Sequence, residues 1–356
     1  IVWNSKTFEE LIIHYGIRDD ELTTDVAIDS ERDLVVSILG FLKSGTGGER
    51  FVSSPAIIEC LAEKFEHKIT LGGTSIRAAI AMRKLGYRSA LHLVTMNDHV
   101  RRLMPSDCSY VCSNTQESLY PHLILQFGPD TVVGARDIQI RAHRANRIIY
   151  INDDDNLTMQ LNEDFSRLIT DASVFLISGF NAMQDEVLLL DRLTSLLRIM
   201  ANLPEDAWVY YEDAGFHDSS FSQLIYGTLA QQIDIVSLNE DELQGYLGRS
   251  VDVLDASQMK RALADLHKMI PVPTIVIHSM YWALAYGGHA QDFADALKGG
   301  LTMATTRFRY GDDFRLENYQ EIEVLSPNQA GAGFAAQLKS SLGDHVCCLP
   351  AVSYTH

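Results

Sequence analysis

The feature that most constrains this fold is an alternation of short apolar runs with longer amphipathic stretches in the second half of the chain. The apolar runs are typical of buried strands, and the stretches between them have helical periodicity. This pattern predicts a largely parallel sheet with helices on both faces. The predicted strands cover residues 174–178, 208–212, 233–238, 274–278 and 282–286, and the predicted helices cover residues 186–200, 220–231 and 257–269.

The first half of the chain begins with one predicted βαβ unit. Its strands cover 68–71 and 89–95, and a helix from Thr74 to Leu85 joins them and stops at Gly86. Two further strands are predicted over 123–127 and 147–151.

Two less regular regions, 18–48 and 98–148, are assigned to a smaller α/β lobe that inserts into, or folds over, the main sheet. The segments 49–97 and 149–356 are assigned to the main α/β core. The fold class predicted for residues 1–356 is therefore α/β, with a mostly parallel central sheet in three layers and a smaller lobe.

The formal net charge of −18 argues against nucleic acid or an anionic membrane as a partner, since both need a basic surface. A phosphorylated ligand is compatible with this charge, because a few local cations or backbone N–H groups suffice. Five cysteines without framework spacing indicate reduced thiols and a cytoplasmic setting. No apolar run reaches transmembrane length.

Residues 234–243 predict a buried strand that ends at Asn239 and a helix that begins with Glu240, Asp241 and Glu242. Carboxylates suit the positive end of the helix dipole, and strand ends of this kind bind ligands in open α/β sheets. Asn239 and Glu242 share one face of the first turn. Two interpretations stay open: a well-capped helix on an acidic surface, or side chains that hold the water shell of Mg²⁺.

Other candidate residues lie beside predicted strands. Gly72, Gly73 and Thr74 form a turn into a helix, where a ligand could reach free N–H groups or where the chain simply turns tightly. Glu49 follows a Gly-rich loop and could accept hydrogen bonds from sugar hydroxyls, or be a solvated carboxylate. His122 precedes a strand, where a structural role is the commoner one.

Three further features, acidic or Gly-rich, complete the candidates. Glu212 ends a strand and so points towards the ligand crevice expected there. The three acids at 153–155 predict a solvated turn, because neighbouring side chains cannot all face one ion. Gly331 and Gly333 lack the following Lys of a phosphate loop, and residues 329–338 predict the start of an Ala-rich helix.

In their order along the chain, these pieces resemble the ADP-dependent glucokinase and phosphofructokinase family of the ribokinase-like superfamily. The matching segments are SGTGGERFV, ITLGGTSIRAA, YPHLILQF, RANRIIYIND, FLISGFNAM, VYYEDAGF, SLNEDEL, TIVIHSM and ATTRFRYGD. The resemblance runs over nearly the whole chain and implies a ribokinase-like fold whose lid closes over the sugar.

The resemblance also implies roles for single residues. It places Glu49, Gly72, Gly73, Thr74 and His122 at sugar-binding positions, although relatives usually carry Asn or Gln where Thr74 stands. Glu212 matches the acid of the family's His-x-Glu motif, with Tyr210 in place of the His. Asn239 and Glu242 match the family's Asn-x-x-Glu motif, and His278 falls in the nucleotide pocket. Glu212 and Glu242 would hold Mg²⁺ beside the phosphates of ADP.

Two motifs of the family are not found. An early Asn-x-Asp should precede residues like Ile1-Val2-Trp3, and a Gly-x-Gly-Asp that supplies the catalytic base should follow a strand like the one predicted at 346–350. We therefore expect residues to be missing at both ends. The alternative is a pseudokinase that lacks the base and only binds its ligands.

The resemblance implies transfer of the β-phosphoryl group of ADP to a sugar hydroxyl, with release of AMP. It also favours glucose as the acceptor, because in this family a Glu at the position of Glu49 goes with glucose binding. Fructose 6-phosphate stays open, because Arg141, Arg144 and Arg147 could bind its phosphate. An ATP-dependent sugar kinase is a second alternative. A Rossmann-type oxidoreductase is disfavoured because the dinucleotide fingerprint is absent.

Overall fold

The computed structural model describes residues 1–216 and 219–353, which fall into two compact units. Unit 1 contains Ile1–Thr70, Thr95–His99 and Gln116–Asp155, and unit 2 contains Leu71–Val94, Val100–Thr115 and the described chain from Asn156 onward. The helices are α1 Ser5–Tyr15, α2 Glu31–Ser44, α3 Pro55–Ala62, α4 Thr74–Lys84, α5 Asp98–Leu103, α6 Asp154–Thr158, α7 Glu186–Met200, α8 Ser219–Leu229, α9 Glu240–Leu247, α10 Ala256–Met269, α11 Ala294–Tyr310, α12 Leu316–Glu323 and α13 Gln329–Leu342.

The strands are β1 Gly48–Phe51, β2 Ala90–Leu93, β3 Ser109–Cys112, β4 Leu123–Phe127, β5 Val132–Ala135, β6 Ile138–Arg141, β7 Asn146–Ile151, β8 Val174–Ile177, β9 Trp208–Glu212, β10 Ile235–Asn239, β11 Thr274–His278, β12 Trp282–Gly287 and β13 Val346–Pro350. The mixture of helices and sheets confirms the predicted α/β class.

Unit 1 is built on a three-stranded sheet in the order β1-β7-β4. β1 is parallel to β7, and β4 is antiparallel to it. Helix α2 packs its apolar residues into the core of this unit, and a hydrogen bond of 2.9 Å from the Tyr150 hydroxyl to Ser37 Oγ crosses that core. The helix begins at the Ser30 cap and ends at Gly45, whose φ of 67° suits glycine.

Unit 2 is built on a six-stranded sheet in the order β13-β12-β11-β10-β9-β8. The four strands β8 to β11 run parallel, and β12 and β13 are antiparallel to their neighbours. One face packs Val236, Leu238 and their neighbours against helices that include α7, α8, α10 and α13. The other face packs Val276 and Ala285 against α11. The helices on both faces produce the three layers predicted from the alternation of elements.

One predicted strand does not form. Residues 68–71 have no regular structure, and Ile69 is 40% exposed. The run has only four residues, and no described strand pairs with it, so its backbone gains no ladder of hydrogen bonds. The helix that follows forms as α4, and the next strand forms as β2.

The two units differ in their bounds from the predicted lobes. Residues 49–70, 95–97 and 149–155 are predicted in the core but lie in unit 1, where β1 pairs with β7. Residues 100–115 were assigned to the lid, but they belong to unit 2 because β3 pairs with β2.

Among the helices in the described part of the chain, none combines the length and apolar character needed to cross a membrane.

Candidate functional site

Three polar side chains end adjacent strands of the unit 2 sheet. Glu212 ends β9, Asn239 ends β10 and His278 ends β11. The register pairs Glu212 with Ser237 and Asn239 with His278, so the three side chains lie on one face of the sheet at its carboxyl edge. Parallel strands of an open α/β sheet bind ligands at this edge, which makes the three strand ends the candidate site.

The Glu212 carboxylate is contacted at both of its oxygens. The Tyr210 hydroxyl donates to Oε2 over 3.2 Å, and His278 Nε2 lies 3.7 Å from Oε1. The interaction with Glu212 is the largest effect on His278, and it raises the pKa of the imidazole above its usual value. Tyr210 and Glu212 are two residues apart on one strand, which places both side chains on the same face.

Asn239 and Glu242 form a capping box at the start of α9. Asn239 Oδ1 accepts hydrogen bonds from the N–H groups of Asp241 and Glu242 at 2.8 and 2.9 Å, and Glu242 Oε2 accepts the Asn239 N–H at 2.8 Å. The helix-capping interpretation of this motif is therefore correct. The cap occupies only one oxygen of Glu242, so it leaves the ligand interpretation open as well.

Two acids near these strand ends, Glu240 and Glu242, have raised pKa values. Burial raises the pKa of Glu242, and the charges of Asp213 and Glu212 raise it further. Burial also raises the pKa of Glu240. Clustered, partly desolvated carboxylates of this kind are stabilised by a bound cation.

The residues that could hold a metal are Glu212 and Glu242. In residues 1–216 and 219–353, no group of three His, Cys, Asp or Glu side chains has a metal-binding arrangement. Mg²⁺ keeps most of its waters and is usually bound through one or two carboxylates with substrate phosphates. The donor set of two mutually repelling carboxylates fits that mode of binding, and it does not fit a closed protein cage.

The diglycine turn introduces α4. Gly73 has a φ of 83° and stands at the N-cap position without a side-chain cap, so the first N–H groups of α4 have no side-chain acceptor there. A Cβ on Gly72 would meet nothing within 4 Å. Thr74 is the first residue of the helix, and the Ser75 hydroxyl lies 3.1 Å from that of Ser178. Free N–H groups at a helix start can bind an anion or a ligand hydroxyl oxygen.

Glu49 and His122 lie in unit 1, beside the two strands that flank β7. Glu49 is exposed on β1, where its register partner is Ile149. His122 immediately precedes β4, and its Nε2 lies 3.0 Å from Asp153 Oδ2. Sequence analysis gave Asp153 only a place in a solvated turn, whereas in the structure it is the partner of a candidate site residue.

Residues 329–338 form the first part of α13, as predicted. Asn328 caps this helix by accepting the Gly331 N–H at 3.0 Å. A Cβ on Gly331 would lie 2.1 Å from the Tyr281 carbonyl oxygen, so this glycine allows close backbone packing. The Gly-rich segment therefore has a structural explanation that needs no phosphate.

Three residues near the site were given no role by sequence analysis: Tyr210, Asp213 and Tyr246. The period of two along β9 could have placed Tyr210 beside Glu212. Asp213 and Tyr246 meet only through tertiary contact between β9 and α9, for which the sequence contains no local signal.

The family model "ADP-specific Phosphofructokinase/Glucokinase conserved region" matches residues 3–307 of this chain. A phosphofructokinase from Pyrococcus horikoshii OT3, crystallised with AMP, is 15% identical, with a TM-score of 0.77 and coverage of 100% of this chain and 90% of that one.

Two further structures are similar over their lengths. The last common ancestor of ADP-dependent phosphofructokinases from Methanosarcinales is 13% identical, with a TM-score of 0.73 and coverage of 99% and 84%. An ADP-dependent kinase in complex with fructose 6-phosphate and ADPβS is 12% identical, with a TM-score of 0.68 and coverage of 98% and 93%. At these identities the likeness establishes the fold alone. No curated protein matches the chain.

Proposed function

Because this chain belongs to the ADP-specific phosphofructokinase/glucokinase family, we propose that it transfers the β-phosphoryl group of ADP to a sugar hydroxyl and releases AMP. Membership of the family makes the protein a sugar kinase, and the finer proposal concerns the donor, the acceptor and the residues. The observation that carries it is the convergence of Glu212, Asn239 and His278 at three adjacent strand ends, with Glu242 on the first turn that follows.

Phosphoryl transfer depends on positioning and on neutralising the charge of the phosphates. In this proposal Glu212 and Glu242 hold Mg²⁺, which would shield the negative charge of the diphosphate. Asn239 keeps its amide oxygen on the backbone of α9 and so fixes the helix start beside the nucleotide. His278 ends β11, and its Nε2 lies 3.7 Å from Oε1 of Glu212. We assign His278 to nucleotide binding.

We assign sugar contacts to Glu49, His122, Gly72, Gly73 and Thr74, the positions that the resemblance to the family implies. The exposed carboxylate of Glu49 can accept hydrogen bonds from sugar hydroxyls, and the uncapped start of α4 can donate them. We assign no catalytic base among these residues.

Glucose is the proposed acceptor. The arginines that could bind a second phosphate are partly engaged elsewhere: Arg141 pairs with Asp130 at 3.0 Å, and Arg144 donates to the Gly45 carbonyl at 2.8 Å. Fructose 6-phosphate carries a dianion that needs such cations, whereas glucose needs only hydroxyl partners. The contacts of Arg141 and Arg144 therefore support glucose, the uncharged sugar, as the acceptor.

The test of the kinase proposal is an assay of AMP release and sugar phosphate formation with each pairing of ADP or ATP with glucose or fructose 6-phosphate. We expect turnover with ADP and glucose in the presence of Mg²⁺. Turnover with ATP alone would contradict the donor assignment, and turnover with fructose 6-phosphate alone would contradict the acceptor assignment.

A further inference from the structure

A buried carboxylate lies directly behind the candidate site. Asp213 follows Glu212 and is 5% exposed. It accepts hydrogen bonds from the Ala214 N–H at 2.9 Å, the Tyr226 hydroxyl at 3.2 Å and the Tyr246 hydroxyl at 2.5 Å. Its own N–H donates to the Ser237 carbonyl of β10 at 2.9 Å, which holds it in line with the sheet.

The two tyrosines come from different helices. Tyr226 lies on α8, and Tyr246 lies on α9. Tyr246 stands four residues after Glu242, so both side chains lie on the same side of α9. Asp213 and Glu212 are consecutive at the end of β9. The hydrogen bond from Tyr246 to Asp213 therefore joins the two segments that carry Glu212 and Glu242.

A carboxylate at this depth is costly to the fold. Desolvation raises the pKa of Asp213, and the three donors offset part of that effect. An apolar side chain would fill the same space between Tyr211, Tyr226 and α9 without that cost. The buried carboxyl group and its three hydrogen bonds therefore indicate a role beyond packing.

We infer that Asp213 is a positioning residue that, through Tyr246, holds α9 against the end of β9 and so sets the separation of Glu212 and Glu242. This inference rests on the metal role given to those two acids in the proposed function. Partners behind metal ligands fix the ligand geometry, and their loss typically weakens metal binding about 10–100-fold.

The test compares two conservative variants that each remove one hydroxyl from the same carboxylate. Tyr246→Phe removes the hydrogen bond from α9, whereas Tyr226→Phe removes the hydrogen bond from α8, which carries neither acid. The measurement is Mn²⁺ binding by the full chain, followed by paramagnetic resonance of free Mn²⁺, together with thermal unfolding of each variant. We expect both variants to lose similar thermal stability, and Tyr246→Phe alone to weaken Mn²⁺ binding by about tenfold.

Equal Mn²⁺ affinities in the two variants would overturn the inference, because a purely structural role of the carboxylate affects both alike. A second measurement, backbone hydrogen exchange, follows the helices directly. Exchange of residues 240–247 should increase in Tyr246→Phe and stay unchanged in Tyr226→Phe. The opposite pattern would also overturn the inference.

Glu242→Gln serves as the reference that separates this inference from the proposed function. If Glu242→Gln weakens Mn²⁺ binding while Tyr246→Phe and Tyr226→Phe behave alike, the positioning role fails and the metal role stands. If the unmodified chain binds no Mn²⁺, or if Glu242→Gln binds it equally well, the metal role fails and the inference falls with it.

Discussion

His278 Nε2 lies 3.7 Å from Oε1 of Glu212, and the two residues end β11 and β9 on either side of β10. The Tyr210 hydroxyl contacts the other oxygen of the same carboxylate at 3.2 Å. The side chain of Glu212 is therefore oriented by the protein before any ligand arrives. A carboxylate held in this way loses little rotamer freedom when it binds a cation.

Tyr210→Phe should weaken the binding of Mg²⁺ by about fivefold, because it removes one hydrogen bond of about 1 kcal/mol from the carboxylate proposed to bind the metal. The measurement is the Mg²⁺ dependence of AMP release. Tyr150→Phe is the matched control, since it removes a buried phenol hydroxyl bonded to Ser37 in unit 1. An equal change in both variants would mean that Tyr210 acts only through stability.

Glu242→Gln should raise the Mg²⁺ requirement while the fold stays intact. A glutamine amide oxygen can still accept the Asn239 N–H, so the capping box survives the loss of charge. The measurement is a Mg²⁺ titration of activity beside a urea unfolding curve. Asp241→Asn is the control, because Asp241 is exposed on the same helical turn. Unchanged Mg²⁺ dependence in Glu242→Gln would contradict the metal assignment.

Gly73→Ala should destabilise the protein by about 1 kcal/mol and raise the KM for the sugar, because a residue with a Cβ is strained at a φ of 83°. Gly72→Ala should leave stability unchanged, since its Cβ meets nothing within 4 Å. The measurements are urea unfolding and sugar KM for both variants. If a ligand approaches the backbone at Gly72, Gly72→Ala should raise the KM for the sugar while its stability stays unchanged, unlike Gly73→Ala.

His92 should make stability depend on pH below neutrality. Its Nε2 accepts the Asn162 N–H at 2.9 Å, and burial lowers the pKa of the imidazole to about 4. The unfolded chain binds a proton near pH 6.5 and the folded chain only near pH 4. Neutral His92 therefore makes its full contribution to the free energy of unfolding above pH 6.5. As the pH falls towards 4, the free energy of unfolding decreases by roughly 2–3 kcal/mol.

The check is urea unfolding at several pH values between 7 and 4. His92→Gln should flatten this dependence, because the amide oxygen can accept the Asn162 N–H and does not titrate. His143→Gln, at an exposed position, should leave it as in the unmodified chain. If the stability of His92→Gln still falls steeply between pH 7 and 4, the pH dependence comes from other groups.

The sheet of unit 2 was predictable because its strands are apolar runs bounded by helices of clear period. The ends of β9, β10 and β11 followed from the same pattern, since buried runs stop where Glu212, Asn239 and His278 begin to meet solvent. Local sequence patterns were therefore enough to predict the fold class and the residues at these strand ends.

The division into units could not be read in this way. β1 pairs with β7 across about a hundred residues of chain, and periodicity carries no information about such partners. The strand predicted at 68–71 failed for the related reason that a short apolar run needs a neighbour to become a strand. The contact of Asp213 with Tyr246 likewise exists only once β9 and α9 have packed.

The capping box at α9 uses Glu242 for the helix itself, whether or not a metal is present. Selection for a stable helix start would therefore be enough to retain Asn239 and Glu242 in a lineage that no longer phosphorylates sugars. An Asn-x-x-Glu pattern in a distant homologue would then record its ancestry rather than its present chemistry.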